Sequence, residues 1–348
     1  MRTLLPRLRR ILTLPVIVSF LVGAVIFGAV GWYIPSPLHA ERYAGAILLQ
    51  SSNFNNYKYI DPLLTCEIGT EEAFTDLTPL RNAVTDAIAR AKEKGNAKEV
   101  SVYFRSLTNA HWFDINPETT YSPASLLKTF VMMAFYKESR DLNDPNMLNR
   151  QILFKGDSAH DNPGEEIPHL TNGKFYSIND VIKQMIVYSD NDALNTLTDN
   201  FDPQTTQSLS EIFSDLKINS PLTDERSYEM TVNQYAMVFR VLYGSTYLSR
   251  RLSEQALGTL AEAHFKDALA AGVPAGMAVA HKFGITTLPA TATTPALPEL
   301  HDCGIVYYPG HPYILCVMTQ GADFPHLEST IKDISAVTYA GVQKLYPN

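Results

Sequence analysis

One segment limits how this chain can fold more than any other, because it carries no charge. Residues 11–34 contain no Asp, Glu, Lys or Arg, and four arginines precede them at positions 2, 7, 9 and 10. About 20 apolar residues suffice for a helix to span a bilayer, so the segment predicts a single-pass transmembrane anchor. Arginines are favoured on the cytoplasmic side, which predicts a cytoplasmic basic tail at residues 1–10 and an extracytoplasmic remainder.

A cleaved secretory signal is the alternative interpretation of this segment. Leu38-His39-Ala40 is a loose match to a small-residue cleavage site. The apolar run is longer than the usual core of a signal peptide, which favours an uncleaved anchor in the cytoplasmic membrane. The remainder of the chain is exported in both cases, and it is secreted if the segment is cleaved. We therefore expect an oxidising compartment, in which cysteines can pair.

The overall composition is that of a globular protein, with 45% hydrophobic and 18% charged residues in 348. The net charge is −8 and no long basic run follows the first residues, so we predict no nucleic-acid partner. The three cysteines form no CxxC pair, and the chain has no HExxH motif. These absences predict neither a metal site nor a cofactor.

The hydrophobic pattern predicts a polar lead-in over residues 35–75 and one large domain over residues 76–348. Predicted strands lie near both ends of that domain, and predicted helices lie mostly between them. This order predicts an α+β fold with one antiparallel sheet flanked by helices and an inserted all-helical subdomain. The expected strands are 99–107, 111–115, 277–286, 302–308 and 313–319, and the expected helices are 78–94, 125–136, 177–187, 192–197, 231–243 and 327–345.

Two cysteines flank the turn of the last predicted hairpin. Cys303 precedes and Cys316 follows the turn Pro309-Gly310-His311-Pro312 by a few residues, so they could face each other across the two strands. A disulfide and a pair of reduced, buried thiols both remain open, because the geometry decides between them. Cys66 is left over and has no evident partner.

The pattern serine-x-x-lysine occurs three times, beginning at Ser125, Ser214 and Ser329. A serine and a lysine three residues apart share one face of a helix. A lysine with a lowered pKa can then act as the base that a serine hydroxyl needs to become a nucleophile. Only Ser125 follows a rigid Tyr-Ser-Pro-Ala lead-in and opens a mostly apolar helix. We therefore predict Ser125 as the nucleophile and Lys128 as its base or proton relay.

Two further motifs are weak when each is taken alone. In Ser189-Asp190-Asn191, the serine could pass a proton to a leaving nitrogen and the asparagine could hold a substrate carbonyl, although such tripeptides more often cap a helix. In Lys282-Phe283-Gly284, the lysine could attract a carboxylate and the glycine could admit a substrate backbone, although such lysines also protect edge strands. All three motifs in one order make the chemical interpretation much stronger.

The motifs SxxK, SDN and KxG, in this order, resemble the signature of the class A β-lactamases and penicillin-binding proteins. The resemblance extends from about residue 78 to the C-terminus, and it implies a class A β-lactamase-like fold and a serine hydrolase that forms an acyl-enzyme. It implies that Ser125 is the nucleophile and that backbone N–H groups of Ser125 and Ile285 form the oxyanion hole. It implies that Lys128 is the base or proton relay and that Ser189 passes a proton to the leaving nitrogen. Asn191, Lys282 and Gly284 are the implied substrate-binding residues.

The chain departs from this signature at two places. Phe283 stands where the family has a small hydroxylated residue, which removes a hydroxyl from the carboxylate pocket and adds bulk. The segment before the helix at Thr231 is short and contains no ExxLN match for the glutamate that activates hydrolytic water. Asp224, Glu225 and Glu229 are the candidate bases for deacylation, and a solvated loop is the alternative interpretation of these three carboxylates.

The expected activity is hydrolysis of the β-lactam amide through an acyl-serine. The first alternative is a D-alanyl-D-alanine carboxypeptidase or transpeptidase acting on a peptidoglycan stem peptide, which shares the acylation step. A working deacylation base favours hydrolysis of β-lactams, whereas the anchor and the short segment favour the peptidase. The second alternative is a non-catalytic module that binds penicillin or the cell wall. Retention of Ser125 and Lys128 together with the SDN motif argues against this module.

Overall fold

An antiparallel sheet of five strands organises the part of the chain that the computed structural model describes. The described residues are 57–61, 76–156, 169–220, 228–291 and 295–347, and they belong to one unit, residues 57–348. The strands of the sheet are β1 (Glu99–Ser106), β2 (Trp112–Ile115), β7 (Val279–Leu288), β8 (Leu297–Val306) and β9 (Tyr313–Gln320). Their order across the sheet is β2-β1-β9-β8-β7. Two separate ribbons are formed by β3 (Thr120–Tyr121) with β6 (Met230–Thr231) and by β4 (Gln151–Leu153) with β5 (Phe175–Ser177).

Eight α-helices accompany these strands within the described residues. One is long and close to the C-terminus, and most of the others lie between the first and the last strands of the sheet. Their bounds are α1 (Thr78–Glu93), α2 (Lys128–Asp141), α3 (Ile178–Val187), α4 (Asn191–Asp199), α5 (Pro203–Asp215), α6 (Val232–Tyr243), α7 (Arg250–Ala261) and α8 (Phe324–Leu345), and the shorter 3₁₀ turns are Ala124–Leu127, Met147–Asn149 and Ala270–Gly272.

The sheet separates two hydrophobic cores. Along β9, Leu315 and Val317 join the core formed with α1 and α8, whereas Ile314 and Met318 join the core formed with α2, α3 and α6. This assignment follows the alternation of side chains along a strand, which directs successive residues to opposite faces. The central strand is therefore buried on both sides, and the larger core supports the helices that carry the candidate site.

Most of the predicted elements are confirmed, and several bounds need correction. The expected helix at residues 125–136 begins as a 3₁₀ turn and continues as α2 to Asp141. The stretch 140–176, expected to be loop, contributes β4 and β5. Strands β7 and β8 extend into the expected loop at residues 287–298, because their backbones continue to pair as far as Leu288 opposite Leu297. The helices α5 and α7 were missed, although Asp202 and Ser249 cap their first turns.

The N-terminal predictions lie almost entirely outside the described residues. These are the basic tail at 1–10, the anchor at 11–34 and, except for residues 57–61, the lead-in at 35–75. Cys66 is also outside. Within the described ranges, no helix is both long enough and apolar enough to cross a membrane. The anchor stays a prediction.

The two cysteines of the last hairpin are joined. Cys303 lies directly opposite Cys316 in the register of β8 and β9, and both side chains are fully buried. The structure has a disulfide between them. Of the two alternatives that the sequence leaves open, the disulfide is therefore the one observed.

We expect loss of this disulfide to lower the free energy of unfolding by about 2–3 kcal/mol, because it closes a loop between residues that are 13 apart. The double variant Cys303→Ala/Cys316→Ala, compared with the wild type in urea, measures the difference. The wild type in reductant is the control and should unfold like the variant. Equal midpoints for the oxidised wild type and the double variant would show that the bond contributes nothing.

Candidate active site

Ser125 lies on the 3₁₀ turn that leads directly into α2. The residue before it, Ala124, has a φ of 49°, which is an unfavourable backbone conformation for a residue with a side chain. Such strain persists only where the surroundings hold the backbone, and it is concentrated at functional sites. The turn therefore presents the half-buried Ser125 hydroxyl at a fixed place beside the first residue of α2.

Two side chains of β8 hold the peptide groups on either side of Ser122. Glu299 Oε2 accepts from the Ser122 backbone N–H at 3.0 Å, and His301 Nε2 lies 2.9 Å from the Ser122 carbonyl oxygen. The Thr319 backbone N–H donates to His301 Nδ1, which leaves Nε2 as the nitrogen that donates to Ser122. These contacts fix the lead-in to Ser125. Sequence reasoning missed them, although polar residues such as Glu299 and His301 in an almost entirely buried strand are a signal.

Lys128 connects the first two motifs. Its Nζ lies 3.1 Å from Ser125 Oγ, 3.3 Å from Ser189 Oγ and 2.7 Å from Asn191 Oδ1, and it also donates to the Ser189 carbonyl oxygen. The side chain is buried, with 1% of its surface exposed. The structure thus brings the predicted base within hydrogen-bonding distance of the predicted nucleophile, as a serine nucleophile requires.

The Ser-Asp-Asn motif is a helix cap and a site element at once. Asp190 caps α4 by accepting from the Ala193 backbone N–H at 2.8 Å, and Gln184 donates to its other oxygen. Ser189 has a φ of 58°, so it is a second residue of the candidate site with a strained backbone. The cap explains why an aspartate is needed at the middle position, since it fixes Ser189 and Asn191 on either side of it.

Lys282 reaches the same serine from the sheet. It lies on β7, an edge strand of the sheet, and its Nζ donates to Ser189 Oγ at 2.9 Å. Its side chain is fully buried. Burial holds the pKa of Lys282 well below its usual range, the nearby charge of Lys128 lowers that pKa further, and Asp302 partly opposes the shift. Ser189 Oγ is therefore shared by two lysines, which suits it to receive and pass on a proton.

Gly284 lies against the turn that carries Ser125. A Cβ atom at this position would be 2.7 Å from the Pro123 carbonyl oxygen and 3.2 Å from the Leu126 backbone nitrogen. The close approach that requires glycine is therefore made by the protein's own backbone. Ile285 follows directly and is half-buried. Its assigned place in the oxyanion hole, and substrate contact at Gly284, stay predictions.

The sequence places the chain in a known family. Residues 79–342 match the family model described as the beta-lactamase enzyme family. The chain belongs to that family. No curated protein matches its sequence.

Solved structures share the fold of this family member. PBP-A is 21% identical over 77% of this chain and 97% of its own, with a TM-score of 0.61. A β-lactamase from Sphaerobacter thermophilus is 21% identical over 76% of this chain and 97% of its own, with a TM-score of 0.61. A class A β-lactamase from Mycobacterium abscessus is 19% identical over 74% of this chain and 99% of its own, also with a TM-score of 0.61. At these identities the likeness concerns the fold, and it confirms the predicted class A β-lactamase-like architecture.

The other two SxxK copies do not form a site of this kind. Ser214, Lys217, Ser329 and Lys332 are all exposed on the surface. Only the copy at Ser125 buries its lysine among polar groups from other elements. The apolar helix and the rigid lead-in were therefore valid reasons to choose it.

Of the three candidate bases for deacylation, the structure describes only Glu229. Glu229 is exposed, and its Oε2 accepts from Thr120 Oγ1 at 2.5 Å across the ribbon of β3 and β6. Asp224 and Glu225 lie outside the described residues. Within the described ranges, no cluster of His, Cys, Asp and Glu side chains has a geometry that would hold a metal ion.

Proposed function

We propose that the protein is a serine hydrolase that acylates Ser125 and opens the amide of β-lactams. The observation that carries this proposal is the 3.1 Å contact between Lys128 Nζ and Ser125 Oγ, with Ser189 within hydrogen-bonding distance of the same lysine. Family membership and the shared fold support it. The proposal names the reaction class, in which one amide bond breaks and one serine ester forms.

The contacts assign each step of acylation to a group. Lys128, in its neutral form, takes the proton of Ser125 as Oγ attacks the carbonyl carbon. Ser189 gives a proton to the leaving nitrogen and recovers one from the lysines that share its hydroxyl. Backbone N–H groups of Ser125 and Ile285 would stabilise the negative charge on the carbonyl oxygen. Water then cleaves the acyl-serine ester and restores Ser125.

We also propose that this reaction takes place outside the cytoplasm, with the chain held in the cytoplasmic membrane by residues 11–34. The uncharged segment and the arginines before it support the orientation. The disulfide between Cys303 and Cys316 supports an oxidising compartment, since structural disulfides are rare in the cytosol.

A D-alanyl-D-alanine peptidase is the second candidate, and the position of Glu229 favours it. Glu229 is exposed and is engaged by Thr120, so its contacts do not mark it as the base that activates hydrolytic water. An enzyme without such a base keeps its penicilloyl group. The lifetime of the acyl-enzyme therefore separates the two candidates.

We expect the full-length protein, incubated with excess fluorescent penicillin, to gain one penicilloyl group on Ser125. Intact mass against time measures adduct formation, and a peptide map locates it. Ser125→Ala should gain no mass, and Ser214→Ala, which removes the exposed serine of another SxxK copy, should react like the wild type.

The time course decides among the candidates. Rapid loss of the adduct with release of hydrolysed penicillin supports the β-lactamase, whereas an adduct that lasts for hours supports the peptidase. A wild type that never gains mass contradicts both enzymes and leaves the non-catalytic binding module.

A further inference from the structure

The lysine that would hold a substrate carboxylate is buried and already makes contacts within the protein. Lys282 has no exposed surface, and an ammonium group has three N–H donors. One donates to Ser189 Oγ at 2.9 Å and one to the Phe283 carbonyl oxygen at 2.8 Å. The Phe283 ring covers the same ammonium, with 4.1 Å between Nζ and the ring centroid. A cation over an aromatic face at this distance is itself a favourable contact.

A second aromatic ring backs the first. Phe265 stacks on Phe283 with 4.2 Å between centroids and 27° between planes. Phe283 is 8% exposed, whereas Phe265, which follows α7, is only half-buried. The Lys282 ammonium, the Phe283 ring and the Phe265 ring are thus packed in succession. The two rings form an aromatic cover over the ammonium, and the outer ring, Phe265, is partly open to solvent. The surface over the Lys282 ammonium is therefore apolar, where the resemblance implies a cationic pocket.

A carboxylate cannot enter this arrangement without a cost. It would have to displace the Phe283 ring from the ammonium or take the place of Ser189 Oγ, on which the proton transfer depends. A buried carboxylate that lacks hydrogen-bond donors is strongly disfavoured, whereas an uncharged apolar group gains free energy by covering an aromatic ring. The chemistry of the aromatic cover therefore discriminates between donors by charge.

We propose that Phe283, stacked on Phe265 over Lys282, makes the site prefer acyl donors that carry an uncharged, apolar group where a carboxylate would otherwise bind. The preferred substrate is then an amide or ester without a carboxylate at that position. This inference rests on acylation of Ser125, the proposed function. It disfavours the free acids of penicillins and the stem peptides of a carboxypeptidase alike, because both carry a carboxylate, so a penicillin acylates Ser125 more slowly than its neutral ester does.

The test compares two donors that differ only in this charge, benzylpenicillin and its methyl ester, on the full-length protein. We expect the ester to acylate Ser125 at least about tenfold faster than the free acid, since about 1.4 kcal/mol of discrimination corresponds to tenfold. Phe283→Thr removes the ring and adds a hydroxyl, and it should reverse the preference by accelerating the acid. Intact mass against time gives both rate constants.

Two further variants keep the test decisive. Phe265→Ala removes only the half-buried outer ring, and it should move the preference toward the acid even if Phe283→Thr does not fold. Phe175→Thr makes the same substitution at a phenylalanine that is 64% exposed on β5, and it should leave the preference unchanged.

The outcomes separate this inference from the function on which it rests. Adducts that form on Ser125 of the wild type at equal rates from both donors, or faster from the acid, overturn the restriction and leave the acyl-enzyme standing. If both Phe283→Thr and Phe265→Ala still prefer the ester, the aromatic cover is not the cause of that preference. If neither donor forms an adduct, both the acyl-enzyme and the restriction are overturned.

Discussion

Lys128→Met lowers the rate constant for acylation of Ser125 by about 10²–10⁴-fold, the usual contribution of a positioned general base. Methionine matches the length of the lysine side chain but cannot accept a proton from Ser125 Oγ, which lies 3.1 Å from Nζ in the wild type. It also leaves Asn191 Oδ1 without the contact that Lys128 makes at 2.7 Å. The rate constant is measured from intact mass against time with penicillin in excess.

Two variants distinguish proton transfer from charge and from folding. Lys128→Arg keeps a positive charge but remains protonated at every accessible pH, so it should be about as slow as the methionine variant. Lys217→Met makes the same substitution in an exposed SxxK copy and should react at the wild-type rate. An arginine variant that retains most of the wild-type rate would show that Lys128 acts through its charge rather than as a base.

The parts of this site that sequence could predict are those that depend on local order. The SxxK spacing places Ser125 and Lys128 within one turn, and the capping aspartate places Ser189 and Asn191 at the start of a helix. The antiparallel sheet also followed from strands near both ends of the domain, because distant segments with the same periodicity pair. The two predictions that concern the site use residues only a few positions apart.

The contacts that sequence could not predict join residues far apart in the chain. Glu299 holds Ser122 over a separation of 177 residues, and no local pattern marks that pairing. The phenylalanine at position 283 is visible in the KxG motif, but its stacking on Phe265 depends on how the segment after α7 packs on β7. Aromatic stacking between elements is a property of tertiary packing, which periodicity alone does not encode.

The structure gives Gly284 a second reason to be a glycine, beside the substrate contact that the sequence suggested. Its lack of a side chain suggested close approach by a substrate backbone. In the structure the nearest atoms belong to the turn that carries Ser125, with the Pro123 carbonyl oxygen 2.7 Å from where a Cβ would stand. That same oxygen accepts the Leu126 backbone N–H, so it cannot move without disturbing the turn. Gly284 therefore acts first on the position of the nucleophile.

We accordingly expect Gly284→Ala to slow acylation by about 10²-fold, since a displacement of about 1 Å at a reacting group can cost that much. The overpacked methyl group should also lower the free energy of unfolding by about 1–3 kcal/mol. Both quantities are measured on one preparation, by intact mass against time and by urea unfolding.

Gly258→Ala is the matched control for this prediction. A Cβ at Gly258 would lie 3.5 Å from the Tyr59 ring, an ordinary contact distance, and the residue lies inside α7. Alanine there should raise the free energy of unfolding by up to about 1 kcal/mol and leave acylation unchanged. If Gly284→Ala also acylates at the wild-type rate, the turn at Ser125 tolerates the shift. The glycine would then be needed only for what approaches from outside, as the sequence first suggested.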